Sequence, residues 1–209
     1  MSLFPMFLKL EDRPCLVVGA GEIAESKIHS LLAAGARVTV VSPEMKAGLV
    51  GLADAGLFAW HRREYVAGDL EGAFLVIAAT DSREVNAAVY RDAVERNILC
   101  NAVDDPPNCD FYFPSVVKRG RLQIAISTEG ESPALAQRLR KEIDEQLPED
   151  LGPWLDDLGE LRREVLAVLP PGESRKLLLH ELAHRSVCSA DHCPSRRLAL
   201  QAEDALAHQ

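Results

Sequence analysis

Apolar and polar positions change rhythm several times along the chain. Between Arg13 and Asp104, short apolar runs alternate with stretches of helical spacing, the pattern of an α/β unit built on a parallel sheet. "PCLVVGA" predicts a short buried strand. "EIAESKIHSLLAAG" predicts a helix with Ile23, Ile28, Leu31 and Leu32 as its apolar positions, by their three-to-four-residue recurrence. Gly35 ends that helix, and "ARVTVVS" predicts the second strand. "LVGLADAG" reads as a short helix, "FAWHRREY" as a third strand and "AFLVIAAT" as a fourth; "SREVNAAVYRDAVERN" is the next helix and "ILCNAVD" the fifth strand.

Around Phe113 and Pro114 the character changes. "RLQIAIST" predicts a strand, "EGES" a turn and "SPALAQRLRKEIDEQL" a helix, with Ser132 as its N-cap and Pro133 at the first helical position. After Pro148 the strand signals stop. "PWLDDLGELRREVLAVL", "SRKLLLHELAHR" and "PSRRLALQAEDALAH" read as helices joined by "LPPGES" and "CSADHCPS", whose Pro, Gly, Ser and Asp content marks linkers.

Composition narrows the picture. The 209 residues leave room for one sizeable domain and a smaller one. A formal net charge of −9 argues against general nucleic-acid binding. No apolar run approaches the roughly 20 residues that cross a bilayer, so no membrane partner is expected. "MSLFPMFLKLEDRP" carries Pro5, Lys9 and acidic residues from Glu11 onward in place of an apolar signal core, which makes the cytoplasm the expected location. Five cysteines (Cys15, Cys100, Cys109, Cys188 and Cys193) are odd in number and widely spread, as reduced thiols would be.

Two motifs compete for the chemistry. Gly19-Ala20-Gly21-Glu22-Ile23-Ala24 follows a strand, opens a helix and begins a strand–helix–strand unit, which is the context that makes G-x-G-x-x-G/A a dinucleotide fingerprint. Gly19 permits the tight turn, Gly21 lets backbone approach a diphosphate, and Ala24 keeps helix and strand close. The diphosphate would rest on the helix N-terminus, where unpaired N–H groups favour an anion. The second strand ends Val41-Ser42-Pro43-Glu44; Ser42 can hydrogen-bond a ribose, and Glu44 stands two residues beyond the usual acidic position. No arginine follows directly to greet a 2′-phosphate, although Arg62 and Arg63 approach from the third strand, so NAD is expected over NADP. The other motif, His180-Glu181-Leu182-Ala183-His184, has the H-E-x-x-H spacing of zinc proteases. Its longer form fails, because Val187 and Ala190 stand where further ligands belong. "KLLLHELAHR" reads instead as an amphipathic packing helix, and the neighbouring Cys188, His192 and Cys193 match no zinc spacing. No resident metal is expected.

In open α/β sheets ligands bind beyond the carboxyl ends of the strands. Thr80 and Asp81 follow the fourth strand and would border a nicotinamide; Asn101 and Asp104 follow the fifth and would face the substrate crevice. Asp104 there is a plausible general base, while by position alone Asp104 or Asp105 would equally serve to open a turn before Pro106. Between Pro114 and Lys141 stand Lys118, Arg119, Arg121, Arg138, Arg140 and Lys141 against only Glu129 and Glu131, either a receptor for a polyanion or a solvated face.

The ordered set "LVVGAGEIAESKI", "GARVTVVSPE", "LVIAATDSREVN" and "NAVDDPPNCDFYFPSVVKRGRLQIAISTEGESPALAQRLRKEI" resembles the precorrin-2 dehydrogenase family, the N-terminal module of siroheme synthases, from about Pro5 to Leu147. The resemblance implies NAD-dependent oxidation of precorrin-2, a reduced tetrapyrrole with eight carboxylates, to sirohydrochlorin; some members also insert ferrous iron. It implies an α/β subunit with a Rossmann-type sheet (residues 1–113), a small α+β dimerisation domain (114–147) and a helical C-terminal domain (148–209), paired as a homodimer. Carried onto this chain, the catalytic aspartate falls on Asp104, cofactor contacts on Glu22-Ile23 and Pro43-Glu44, and a loop near the substrate on Ser127 to Gly130, with Ser127 and Thr128 in it. A polyacidic substrate also gives the basic stretch, Arg119 included, a use. The rival reading is a Rossmann module that senses NAD(H) without turnover.

Overall fold

The structure, a computed structural model, describes residues 3–184. Within it the chain divides into two compact units between Phe113 and Pro114. The first unit contains β1 (Pro14–Val18), α1 (Glu22–Ala33), β2 (Arg37–Val41), α2 (Ala47–Asp54), β3 (Ala59–His61), β4 (Leu75–Ala78), α3 (Arg83–Glu95) and β5 (Leu99–Ala102). All five strands are parallel, in the order β3-β2-β1-β4-β5. The order reverses on either side of β1, so the chain leaves a crevice where β1 and β4 end side by side.

The near-continuous apolar runs of β1 and β4 are what a parallel sheet covered on both faces requires. Alternate residues of β1 serve opposite faces. Cys15 and Val17 pack with Ile28 and Leu31 of α1 and Leu49 of α2, while Leu16 and Val18 pack with Val89 and Ala93 of α3. α1 stops at Gly35, whose φ of +77° suits glycine and whose N–H donates to the Leu32 carbonyl at 3.0 Å. β3 and β5 are shorter than the apolar pattern predicts. β3 is an edge strand with three residues in register with β2, after which the Arg63 N–H turns back to the His61 carbonyl at 2.9 Å. β5 ends before Asp104 because Asp104 takes φ +58° and the Asp105 N–H closes onto the Ala102 carbonyl. Ile23, expected on the apolar face of its helix, is 48% exposed and outside the core.

The second unit begins with β6 (Ser115–Arg119), a strand the sequence pattern did not single out, paired antiparallel with β7 (Leu122–Ile126). Gly120, φ +56°, makes the turn, and a side chain there would sit 3.1 Å from the Gly152 Cα. α4 (Pro133–Gln146) starts as expected, with the Ser132 hydroxyl accepting the Leu135 N–H at 3.2 Å and Pro133 first in the helix. Leu161 and Val165 of α5 (Leu151–Val168) pack on Leu182 of α6 (Glu173–Leu182). The third expected helix, "PSRRLALQAEDALAH", and the stretch with Cys188, His192 and Cys193 lie outside the described residues.

Cys15, Cys100 and Cys109 are unbridged. Burial pushes the Cys15 thiol up to about 11 and the Cys100 thiol up to about 12, and a thiol that high has almost no thiolate at neutral pH. Both are expected to resist iodoacetamide in the native protein at pH 7.5 and to react fully in guanidinium, as peptide mapping by mass spectrometry would read. Rapid native labelling of either would contradict their place in the core.

Candidate functional site

The carboxyl ends of β1, β2, β4 and β5 surround two adjoining cavities that share Gly21, Glu22, Ala79, Thr80 and Asp81 in their walls. The larger, about 660 Å³, extends to Gly19 and to Ser42, Pro43, Glu44 and Lys46 beyond β2. The other, about 460 Å³, extends to Ile23, Arg83, Asn86, Val103, Asp104 and Asp105. Ten of the expected residues (Gly19, Gly21, Glu22, Ile23, Ser42, Pro43, Glu44, Thr80, Asp81 and Asp104) are thereby brought together from four separate strand ends.

The two glycines of the turn do different things. Gly19 has φ +104°, and a Cβ on it would collide with the Ala79 carbonyl, its carbon 2.7 Å away. Only glycine lets β1 and β4 approach this closely. Gly21 caps α1 with ordinary backbone angles and no side-chain cap, and a Cβ built on it would meet nothing within 4 Å. The void in front of Gly21 faces the first turn of α1, where N–H groups without helical partners point outward. A diphosphate fits there, and the residues present suit a dinucleotide. Glu22 and Glu25 in that turn would repel it, but Glu25 is neutralised by Lys46 at 2.8 Å. The Glu25 carboxylate in turn holds the Lys46 ammonium above its ordinary value.

Ser42 is 4% exposed and its hydroxyl accepts the Trp60 indole N–H at 3.1 Å, leaving its own proton to give. Arg62 and Arg63, weighed as partners for a 2′-phosphate, are engaged elsewhere: Arg62 stacks on Trp60 and Arg63 pairs with Asp69 at 2.5 Å. On the far side of the switch point, Thr80 is held by Asn86, a residue the sequence reading passed over. The Asn86 side-chain carbonyl accepts the Thr80 hydroxyl at 2.8 Å and the Thr80 N–H at 3.1 Å, while its amide donates to the Thr80 carbonyl. At 5% exposure inside α3, such a residue is costly unless every polar atom is met.

The alternatives for the two aspartates are separated by geometry. Asp105 does the turn's work: its side chain accepts the Asn108 amide at 2.7 Å and its carbonyl accepts the Asn108 N–H. The Asp104 carboxylate, by contrast, takes no hydrogen bond among the described residues and lines the smaller cavity. Its φ of +58° is a conformation that aspartate tolerates better than most residues, and such backbone concentrates at functional sites. Lys27, one turn beyond Ile23 on α1, feels the Asp104 charge; burial pushes its ammonium below the ordinary lysine value and Asp104 opposes that shift.

Some expectations need correction. Asn101 does not face a crevice: it is 6% exposed, and its amide donates to the Phe111 carbonyl at 2.7 Å and contacts the Cys109 sulfur at 3.4 Å, fastening the segment after β5. The structure gives Arg119 a different task from substrate contact. Its guanidinium pairs with the Asp144 carboxylate at 2.6 Å and donates to the Asp144 carbonyl at 2.8 Å, fixing the end of α4 to the hairpin. The basic stretch is largely neutralised by acids the sequence window left out: Arg121 pairs with Asp156, Arg138 with Glu142 and Arg140 with Asp144. Ser127 and Thr128 form the turn into α4, accepting the N–H groups of Glu129 and Ser132. The zinc-protease spacing is also broken, since α6 ends at Leu182 and leaves His184 off the helix. Among the described residues no group of three or more His, Cys, Asp or Glu side chains could hold a metal.

Residues 6–115 match the family described as putative NAD(P)-binding, and residues 119–146 match the central domain of sirohaem biosynthesis proteins. The chain is 41% identical over 204 residues to siroheme synthase 1 of Aeromonas salmonicida (strain A449), covering 95% of this chain and 44% of that protein. It is 40% identical over 213 residues to the siroheme synthase of Methylococcus capsulatus (strain ATCC 33009 / NCIMB 11132 / Bath), covering 100% and 45%. The chain thus spans less than half the length of these relatives. Among solved structures it is similar to SirC, a precorrin-2 dehydrogenase, at 28% identity with a TM-score of 0.80, covering 97% of this chain and 100% of that one.

Proposed function

This chain belongs to the putative NAD(P)-binding family, and we propose that it oxidises precorrin-2 to sirohydrochlorin with NAD, as its likeness to siroheme synthases and to SirC supports. The observation that carries this reading is the position of Asp104. Its carboxylate shares a cavity with the glycine turn and with Thr80 and Asp81, away from the ribose end at Ser42 to Glu44. Bound NAD supplies a nicotinamide that accepts hydride. The balance is one hydride and one proton out of precorrin-2, one NADH and one free proton formed.

The chain's own groups divide the rest of the work. Gly21 and the first turn of α1 hold the diphosphate, the Ser42 hydroxyl and Pro43-Glu44 flank the adenosine ribose, and Thr80 with Asp81 borders the nicotinamide half. The Glu44 carboxylate would repel a 2′-phosphate, which supports NAD over NADP. Asp104 receives the proton that the macrocycle gives up as hydride leaves its bridging carbon. The family resemblance gives Ser127 and Thr128 a part in substrate binding.

The reading extends to assembly. Residues 114–147 form the dimerisation domain of a homodimer, and the described part of the helical domain that follows holds α5 and α6. Support comes from the two-stranded β6–β7 sheet, which is marginal alone, and from the exposure of Val116 and Leu135. No described helix is long and apolar enough to cross a membrane, and the free thiols suit the reducing cytoplasm.

The test is anaerobic incubation with precorrin-2, with and without NAD, followed by absorption of the tetrapyrrole and of NADH. Sirohydrochlorin and NADH formed together, only when NAD is present, are the expected result. Tight NAD binding without turnover would put the NAD-sensing module in its place.

A further inference from the structure

We infer that Lys27 is a further substrate-binding residue of this site, its ammonium receiving one side-chain carboxylate of the tetrapyrrole beside Asp104. The inference rests on the dehydrogenase reading for the identity of its ligand. The observations behind it are local to the first unit. Lys27 Nζ lies 3.6 Å from the centre of the Phe113 ring, which itself packs edge-on against Phe111 with centroids 5.6 Å apart. An aromatic face attracts a cation but offers it no hydrogen bond. Among the described residues the Lys27 ammonium has no hydrogen-bonded or ion-paired acid, unlike Lys46, which is paired with Glu25.

A lysine head is ordinarily carried out to water on its flexible stem. Here the ring holds it inward, and burial already disfavours its charge. A desolvated ammonium with three donors and no acceptor binds an incoming carboxylate more strongly than a hydrated one does. Its place fits that use: on α1 it stands four residues after Ile23, hence on the same helix face, and Ile23 and Asp104 share the smaller cavity. Precorrin-2 offers eight carboxylates. One of them on Lys27 would set the macrocycle's register so that the carbon to be oxidised stands near Asp104. Asp104 alone would repel an acidic substrate, and Lys27 offsets that repulsion where the two meet.

The experiment titrates sirohydrochlorin, as the probe, into wild type, Lys27→Gln and Lys27→Arg, with NAD affinity and thermal melting measured on each. A lost charge-assisted hydrogen bond corresponds to a roughly 10-fold to 100-fold weaker complex. Lys27→Gln is expected to loosen sirohydrochlorin by that factor and raise KM for precorrin-2, with NAD affinity and melting unchanged, and Lys27→Arg to recover most of the loss. Unchanged tetrapyrrole affinity in Lys27→Gln overturns the inference. So does a loss shared equally by NAD and melting, or one that arginine does not relieve. A wild type that binds sirohydrochlorin through Lys27 yet never reduces NAD would defeat the dehydrogenase reading and leave this one standing.

Discussion

Gly19→Ala is expected to lose NAD binding and to lower the melting temperature by about 10 °C, whereas Gly21→Ala loses NAD binding alone. At Gly19 the added methyl meets backbone: the Ala79 carbonyl carbon would stand 2.7 Å from it, and φ is +104°. Backbone cannot swing aside as a side chain would. Either the β1–β4 ends separate or the turn adopts another conformation. Overpacking and a forbidden backbone angle together cost about 3 kcal/mol or more, and for a chain of this size each kcal/mol lowers the melting temperature by roughly 2–4 °C. At Gly21 the methyl enters open space at ordinary backbone angles, so melting should shift by no more than a few degrees. That space is the proposed place of the diphosphate. Differential scanning calorimetry and an NAD titration on both variants separate the two. A Gly21→Ala protein that binds NAD like wild type would place the diphosphate elsewhere.

Asp104→Asn is expected to reduce kcat by about 10²–10⁴-fold, the range for removal of a general base, while NAD affinity and melting stay near wild type. Asparagine is the informative replacement because it tolerates the left-handed backbone that Asp104 adopts at φ +58°. Asp104→Ala would mix the loss of the carboxylate with about 1–2 kcal/mol of backbone penalty. The steady-state rate at saturating NAD decides it. A kcat within a fewfold of wild type would mean that the proton leaves by another route and that Asp104 only orients the macrocycle.

Much of the first unit was legible because its constraints are local. A turn that needs glycine at two fixed places, between an apolar strand and an amphipathic helix, leaves few readings. The resemblance pointed to Asp104 as the proposed base, but its separation from Asp105 required the geometry of the turn onto Asn108. What escaped notice was set by partners that only the folded chain brings together. Asn86 looks like any polar residue in a helix until Thr80 is seen against it. Lys27 looks solvated until Phe113 covers it. Arg119 belongs to Asp144, 25 residues on, and a charge count that ended at Lys141 stopped just short of Glu142 and Asp144. Asn101 was misplaced for a related reason: strand alternation says which face a side chain takes, and the loop that returns over β5 to cover it is invisible to that rule.

The most direct test of the central claim follows the hydride itself. Precorrin-2 deuterated at the bridging carbon that is oxidised is mixed anaerobically with excess enzyme and NAD, and the nucleotide is analysed by mass spectrometry after a single turnover. One deuterium in each NADH formed, at one NADH per sirohydrochlorin, is the predicted result. Sirohydrochlorin without NADH, or NADH carrying no deuterium, would contradict direct transfer across this cleft.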